Sequence, residues 1–178
     1  MATFRSVLVT LALLFALAPP AQADILTITG NTTGAPVWNR LTEDLAALSV
    51  VGDAVTYHVT PLRVSIDGFY TFLTTADFDS FIFMYEYSFN PAAPFTNAIG
   101  ANDDLFTITT SGFVGPMFSG VDYFLVTTGY SNVDYGNYST TIGGPGQIAL
   151  VPEPSTWMMS ALGLALIGFT RRRQSSSK

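Results

Sequence analysis

The chain has 178 residues and a formal net charge of −6, and it contains no cysteine, which excludes disulfide staples, cysteine-held zinc and a thiol nucleophile. Between Asp24 and Leu150, 10 Asp and 2 Glu face only Arg40 and Arg63, a net charge of −10. So acidic a body repels nucleic acid and anionic lipid headgroups, and nucleic-acid binding is excluded.

The N-terminus has the build of a processing segment. Arg5 supplies a positive start, Val7 to Ala18 is an apolar run of 12 residues, and Ala21-Gln22-Ala23 is an A-x-A cleavage site. The run is short for a membrane span and ends in Pro19-Pro20. Residues 1–23 are therefore expected to be a signal peptide, cut by signal peptidase between Ala23 and Asp24.

From Asp24 onward the strand formers Val, Ile, Thr, Tyr and Phe dominate, broken by turn residues at short intervals. Ile25 to Thr29 is an expected strand. Leu41, Leu45 and Leu48, spaced by four and three, make Trp38 to Val50 the one helix-like piece, expected as a helical turn or loop. Thr56 to Ser65 and Phe69 to Thr75 follow as strands around an Asp67-Gly68 turn. Ser80 to Tyr87 is apolar on both faces, the pattern of a central strand covered on both sides. Asn90 to Asp104 is expected as a turn-rich connection. Leu105 to Thr110, Phe113 to Phe118, Val121 to Thr128 and Tyr135 to Ile142 complete the strands, and Gly143-Gly144-Pro145-Gly146 closes the domain. About seven or eight antiparallel strands predict an all-β sandwich over 24–146, of jelly-roll or immunoglobulin-like form.

The far end is organised differently. Residues 147–155 read as a linker containing Pro152-Glu153-Pro154, followed by an apolar segment over 156–170 and a basic tail over 171–178. The apolar core from Trp157 to Phe169 has 13 residues. As a helix it reaches only ~20 Å, so a transmembrane helix needs its flanking threonines and snorkelling arginines to span ~30 Å of hydrocarbon. Arg171, Arg172 and Arg173 form a membrane stop and place this end in the cytoplasm. Both prolines break any helix entering from the body, so the box is expected to be extended.

This tail resembles the PEP-CTERM sorting signal of Gram-negative bacteria. The resemblance implies an inner-membrane intermediate, recognition by exosortase through Pro152, Glu153 and Pro154, and delivery to the outer surface or extracellular matrix. It also implies an association with exopolysaccharide and biofilm. A plain Pro-rich linker before an anchor is the alternative. A second resemblance lies in the body. Asp67-Gly68-Phe69-Tyr70-Thr71, Phe78 to Tyr85, Asn102-Asp103-Asp104, Asp122 to Val126 and Gly136-Asn137-Tyr138 stand in the order found in the bacterial pre-peptidase C-terminal (PPC-like) β-sandwich family. The likeness covers about 56–143 and implies a non-catalytic module.

Little chemistry is on offer. His58 is the single histidine, with no Gly-x-Ser-x-Gly motif to complete a nucleophile–base pair. No catalytic residue is assigned and no enzyme is expected, although Asp77 and Asp79 could form the carboxylate pair of a secreted hydrolase. Asn102, Asp103 and Asp104 could hold calcium with hard oxygen ligands, or could be an ordinary turn. Tyr130, Tyr135 and Tyr138 could stack on sugar rings in a carbohydrate-binding module, or could be core and turn aromatics. Two matches to the glycosylation sequon, at Asn31 and Asn137, are expected to be chance.

Overall fold

A computed structural model describes residues 23–151. The signal peptide, the Pro-Glu-Pro box, the apolar segment and the arginine cluster lie outside the described residues. Among the described residues no helix is long and apolar enough to cross a membrane.

The body is all-β and antiparallel, with ten strands in chain order: β1 (Asp24–Asn31), β2 (Val37–Trp38), β3 (Val55–Val64), β4 (Gly68–Ala76), β5 (Ser80–Glu86), β6 (Ala98–Asn102), β7 (Thr110–Met117), β8 (Tyr123–Gly129), β9 (Asn137–Gly144) and β10 (Ile148–Leu150). One sheet has the order β1-β9-β4-β7. The other has the order β10-β3-β8-β5-β6, with β2 also pairing with β3. Alternation along β4, where Tyr70, Phe72 and Thr74 point in and Phe69, Thr71 and Leu73 point out, is the signature of a strand buried on one face.

The layer between the sheets is apolar at one end, where Leu62, Val64, Tyr70, Phe72, Ile82, Met84, Tyr123, Leu125 and Ile142 meet. A Cβ on Gly144 would run into the Tyr70 ring, so this close approach requires glycine. Toward the other end the interior becomes hydroxyl-lined. Thr74 and Thr140 share a 2.7 Å hydrogen bond and Ser80 and Ser111 a 3.0 Å one, all four buried. The outer face of the larger sheet carries a second core, in which Phe81, Phe83, Tyr85 and Val126 are covered by Trp38, Leu41 and Phe89. Trp38 contacts Phe83 and Phe89 edge-on at 5.4 and 5.2 Å between ring centroids. The strand expected to be covered on both sides is β5, between β8 and β6 and buried along nearly its whole length.

Three expectations fail, and a fourth resolves to one of its alternatives. Trp38 to Val50, expected as a helical turn or loop, is a loop with no helix. Its side chains close tight turns instead, with the Thr42 hydroxyl donating to Asp44, Ala46 N–H to Asp44 and Ala47 N–H to Thr42. Leu41 and Leu48 then pair as an isolated β-bridge, so the leucine spacing reports a folded-back loop over the second core. Leu105 to Thr110 is also not a strand. Phe106 N–H and Thr107 N–H donate to the Thr110 hydroxyl, and Leu105 N–H to the Thr110 carbonyl, and this local bonding outcompetes the ladder. The missing strand is β6, inside the stretch expected as a loop. Its Ala-Ile-Gly-Ala-Asn sequence has weak strand propensity, and it is held by pairing with β5 across a bulge between Met84 and Tyr85. Finally, the stretch expected to be linker after Gly146 contains β10, which pairs with β3.

Candidate functional site

The polar end of the sandwich brings the conspicuous side chains together. Asp79 precedes β5, and Asp103 and Asp104 follow β6 one strand away. Oxygen atoms of these three carboxylates lie within 4.8 Å of one another. Like charges so close oppose full ionisation. Burial, then Asp104 and Asp79, pushes Asp103 up to about 7. Burial, then Asp134 and Asp104, raises Asp79. The Asp103 Oδ1 atom is buried and has no hydrogen-bond partner among the described residues.

Arg40 is the compensating charge. It is buried, from the loop after β2, and acts electrostatically on Asp103 and Asp79. Its Nε and Nη2 donate to the Tyr130 carbonyl and its Nη1 to the Leu41 carbonyl. The guanidinium lies 4.4 Å from the Phe81 ring centroid and 5.2 Å from that of Tyr130. Burial lowers the Arg40 pKa, and the neighbouring acidic groups oppose that shift. A Cβ on Gly52 would collide with this side chain, which explains a glycine in the covering loop.

Of the three residues weighed as calcium ligands or an ordinary turn, Asp103 and Asp104 converge and Asn102 does not join them. The Asn102 side chain donates to Glu43 at 3.1 Å and accepts from Gly112 N–H at 2.8 Å. Asp79 takes its place in the cluster. An all-oxygen donor set of three carboxylates suits a hard cation such as calcium, while a proton on Asp103 together with Arg40 neutralises the same charge without one. No sequence spacing announces Arg40 or Asp79 as partners of the Asn-Asp-Asp turn, because strand pairing alone brings these loops together.

The other expected residues disperse. Asp77 binds Asn137, accepting from its N–H and its side-chain amide at 2.9 Å each. It therefore caps β9, while Asp79 faces the cluster. The His58 Nδ1 and the Tyr138 hydroxyl share a hydrogen bond that ties β3 to β9. Tyr138 is buried, whereas Tyr130 and Tyr135 are 39% and 48% exposed, so only two of the three tyrosines could meet a sugar. The two sequon asparagines hydrogen-bond each other, Asn31 Nδ2 to Asn137 Oδ1 at 2.7 Å.

At the opposite end of the chain from the predicted signal peptide, β10 runs along the edge of β3, and Val151 N–H donates to the Pro61 carbonyl at 3.0 Å. The stretch that follows decides what can be said of the protein's handling. Residues 150–174 match the PEP-CTERM protein-sorting motif. The chain is thus an exported protein sorted by exosortase, with a membrane-anchored stage in transit through a Gram-negative envelope. The match begins inside β10, so sorting motif and folded body overlap at Leu150 and Val151. No curated protein matches the chain. The PPC-like resemblance of the body is not supported by any family match.

Proposed function

We propose that the protein is a non-catalytic component of the cell surface or extracellular matrix, associated with exopolysaccharide or biofilm and released by exosortase. The observation that carries this reading is the sorting motif joined without a spacer to the closing strand of a self-contained sandwich. The dispersal of Asp77 and Asp79 to separate partners and the engagement of His58 with Tyr138 add support. The PPC-like resemblance points the same way. The test is the intact mass of the protein from membrane and extracellular fractions of its native host. A form starting at Asp24 and ending near Pro152–Pro154 is expected outside the cell. Recovery only of a form retaining Trp157 to Lys178 in the membrane would overturn the reading.

Carbohydrate binding is a second reading, favoured by the exposed Tyr130 and Tyr135 rings at the acidic end. It predicts retardation on a column of the host's own exopolysaccharide, lost in Tyr135→Ala and retained in His58→Ala. Equal elution of the wild type and Tyr135→Ala would remove it.

A further inference from the structure

The outer edge of β3 is shared by two short strands that do not meet. At one end β10 pairs Ile148, Ala149 and Leu150 with Val64, Arg63 and Leu62, and Val151 N–H continues the ladder to the Pro61 carbonyl. At the other end β2 pairs Val37 and Trp38 with Thr56 and Val55, and Tyr57 N–H donates to the Pro36 carbonyl. Backbone groups in a strand alternate between its two edges. Ser65 and Tyr57 both donate to this outer side, so Val59, at the same parity, directs its N–H and C=O there too. No described residue pairs with that side of Val59. The interval from Tyr57 to Pro61 is about 14 Å, which leaves room for three residues opposite His58, Val59 and Thr60.

We propose that this interval is a strand-addition slot and that its occupant is the chain's own Pro152-Glu153-Pro154. The register is set by residues already in place. With Val151 opposite Pro61, the next three positions put Pro152 opposite Thr60, Glu153 opposite Val59 and Pro154 opposite His58. Only the middle position directs its backbone toward β3, and only the middle residue has an N–H to give. The two prolines fall where the backbone nitrogen faces away from the ladder, which is where an edge strand tolerates proline. Glu153 and Val59 can then exchange two hydrogen bonds, and Pro36 blocks any fourth residue. Pro61 obeys the same rule from the other side: its missing N–H lies on the edge facing β10, and its pairing with β8 is intact.

The consequence for sorting rests on the exosortase reading. A protease that takes the box as an extended strand competes with β3 for the backbone of Glu153, so the folded body shelters the box until β10 peels away. Docking itself is independent of processing, so the two ideas fail separately.

The test is amide hydrogen exchange on the full-length chain in detergent micelles, read at Val59 by NMR. In the wild type the Val59 amide, which donates to the Glu153 carbonyl, is expected to exchange about tenfold more slowly, or slower still, than in Glu153→Pro, which removes the reciprocal bond from the one N–H of the box and sets the proline ring against the Val59 carbonyl, so that the box undocks. Pro152→Ala is expected to leave Val59 protected, because its new N–H faces away from β3. Equal Val59 exchange in the wild type and Glu153→Pro would overturn the proposal. Protection that persists in Glu153→Pro and grows with protein concentration would also overturn it, by showing a second copy of the chain in the slot.

Discussion

Arg40→Met is expected to destabilise the body by ~3–4 kcal/mol at pH 8. Two effects combine. The guanidinium serves two carbonyls, those of Tyr130 and Leu41, which lose charged donors while the Arg40 site stays closed to water. It also supplies the positive charge beside Asp79 and Asp103, and removing one side of a buried charge arrangement leaves the other uncompensated. Methionine fills much of the same volume over Phe81, so lost packing contributes little. Arg40→Lys keeps the charge but not the planar fork, and an intermediate loss is expected. Urea unfolding at pH 8 and pH 5 separates the two effects, because at pH 5 Asp103 carries a proton and the electrostatic part shrinks. An equal loss at both pH values would assign the role of Arg40 to its carbonyl contacts alone.

The fold class was legible because most strands carry their own pattern. β4 alternates, β5 is apolar on both faces, and glycines and aspartates stand at the turns. What escaped was set by tertiary context. β6 is made of small, weak strand formers and exists because β5 offers an edge. Threonines at Thr107, Thr109 and Thr110 looked like strand residues, yet their hydroxyls build a turn. Leu41 and Leu45 stand at a helical spacing because a folded-back loop also packs apolar residues against the core beneath it, while Leu48 is exposed and only bridges to Leu41. β10 was hidden behind a Gly-Gly-Pro-Gly run that resembles a domain boundary, but its two leading glycines end β9 and Pro145 to Gln147 turn the chain into the last edge strand.

The polar site was half legible. Asn102-Asp103-Asp104 stands out as a cluster in sequence, but the third carboxylate arrives from Asp79, more than twenty positions earlier, and the cation from Arg40. A buried arginine among hydrophobic residues has no local signature. Its only trace in the sequence is scarcity, since Arg40 and Arg63 are the only arginines between Asp24 and Leu150 and no lysine stands there. The second of these is a surface residue paired with Asp122, so Arg40 alone is left for the interior.

That shortage of positive charge makes the acidic cluster the largest source of pH dependence in the body. Free aspartate titrates near 4, whereas Asp103 in the folded protein is pushed up to about 7, first by burial and then by Asp104 and Asp79. Between these values the folded state holds a proton that the unfolded state has lost. Stability from this group is therefore fully present below about pH 4, falls as pH rises, and is gone above about pH 7. The whole interval would correspond to ~4 kcal/mol, and partial solvent access to the carboxyl reduces it to ~1–2 kcal/mol. Asp67 and Asp122 act in the opposite sense, since hydrogen bonds from Ser119 and Arg63 hold them low, but they lose their contribution only as pH falls below the usual carboxylate range. Asp79, raised first by burial and then by Asp134 and Asp104, acts in the same sense as Asp103. Asp103→Asn is expected to raise stability at pH 8 by ~1–2 kcal/mol and to flatten the pH profile, with little change near pH 4. Calcium distinguishes the two ways of satisfying the cluster. If a cation replaces the proton, millimolar calcium raises the wild-type Tm at pH 8 and has less effect on Asp103→Asn. If the wild-type Tm is unmoved by calcium while Asp103→Asn is still more stable at pH 8, the cluster is balanced by a proton and Arg40, and its role is structural.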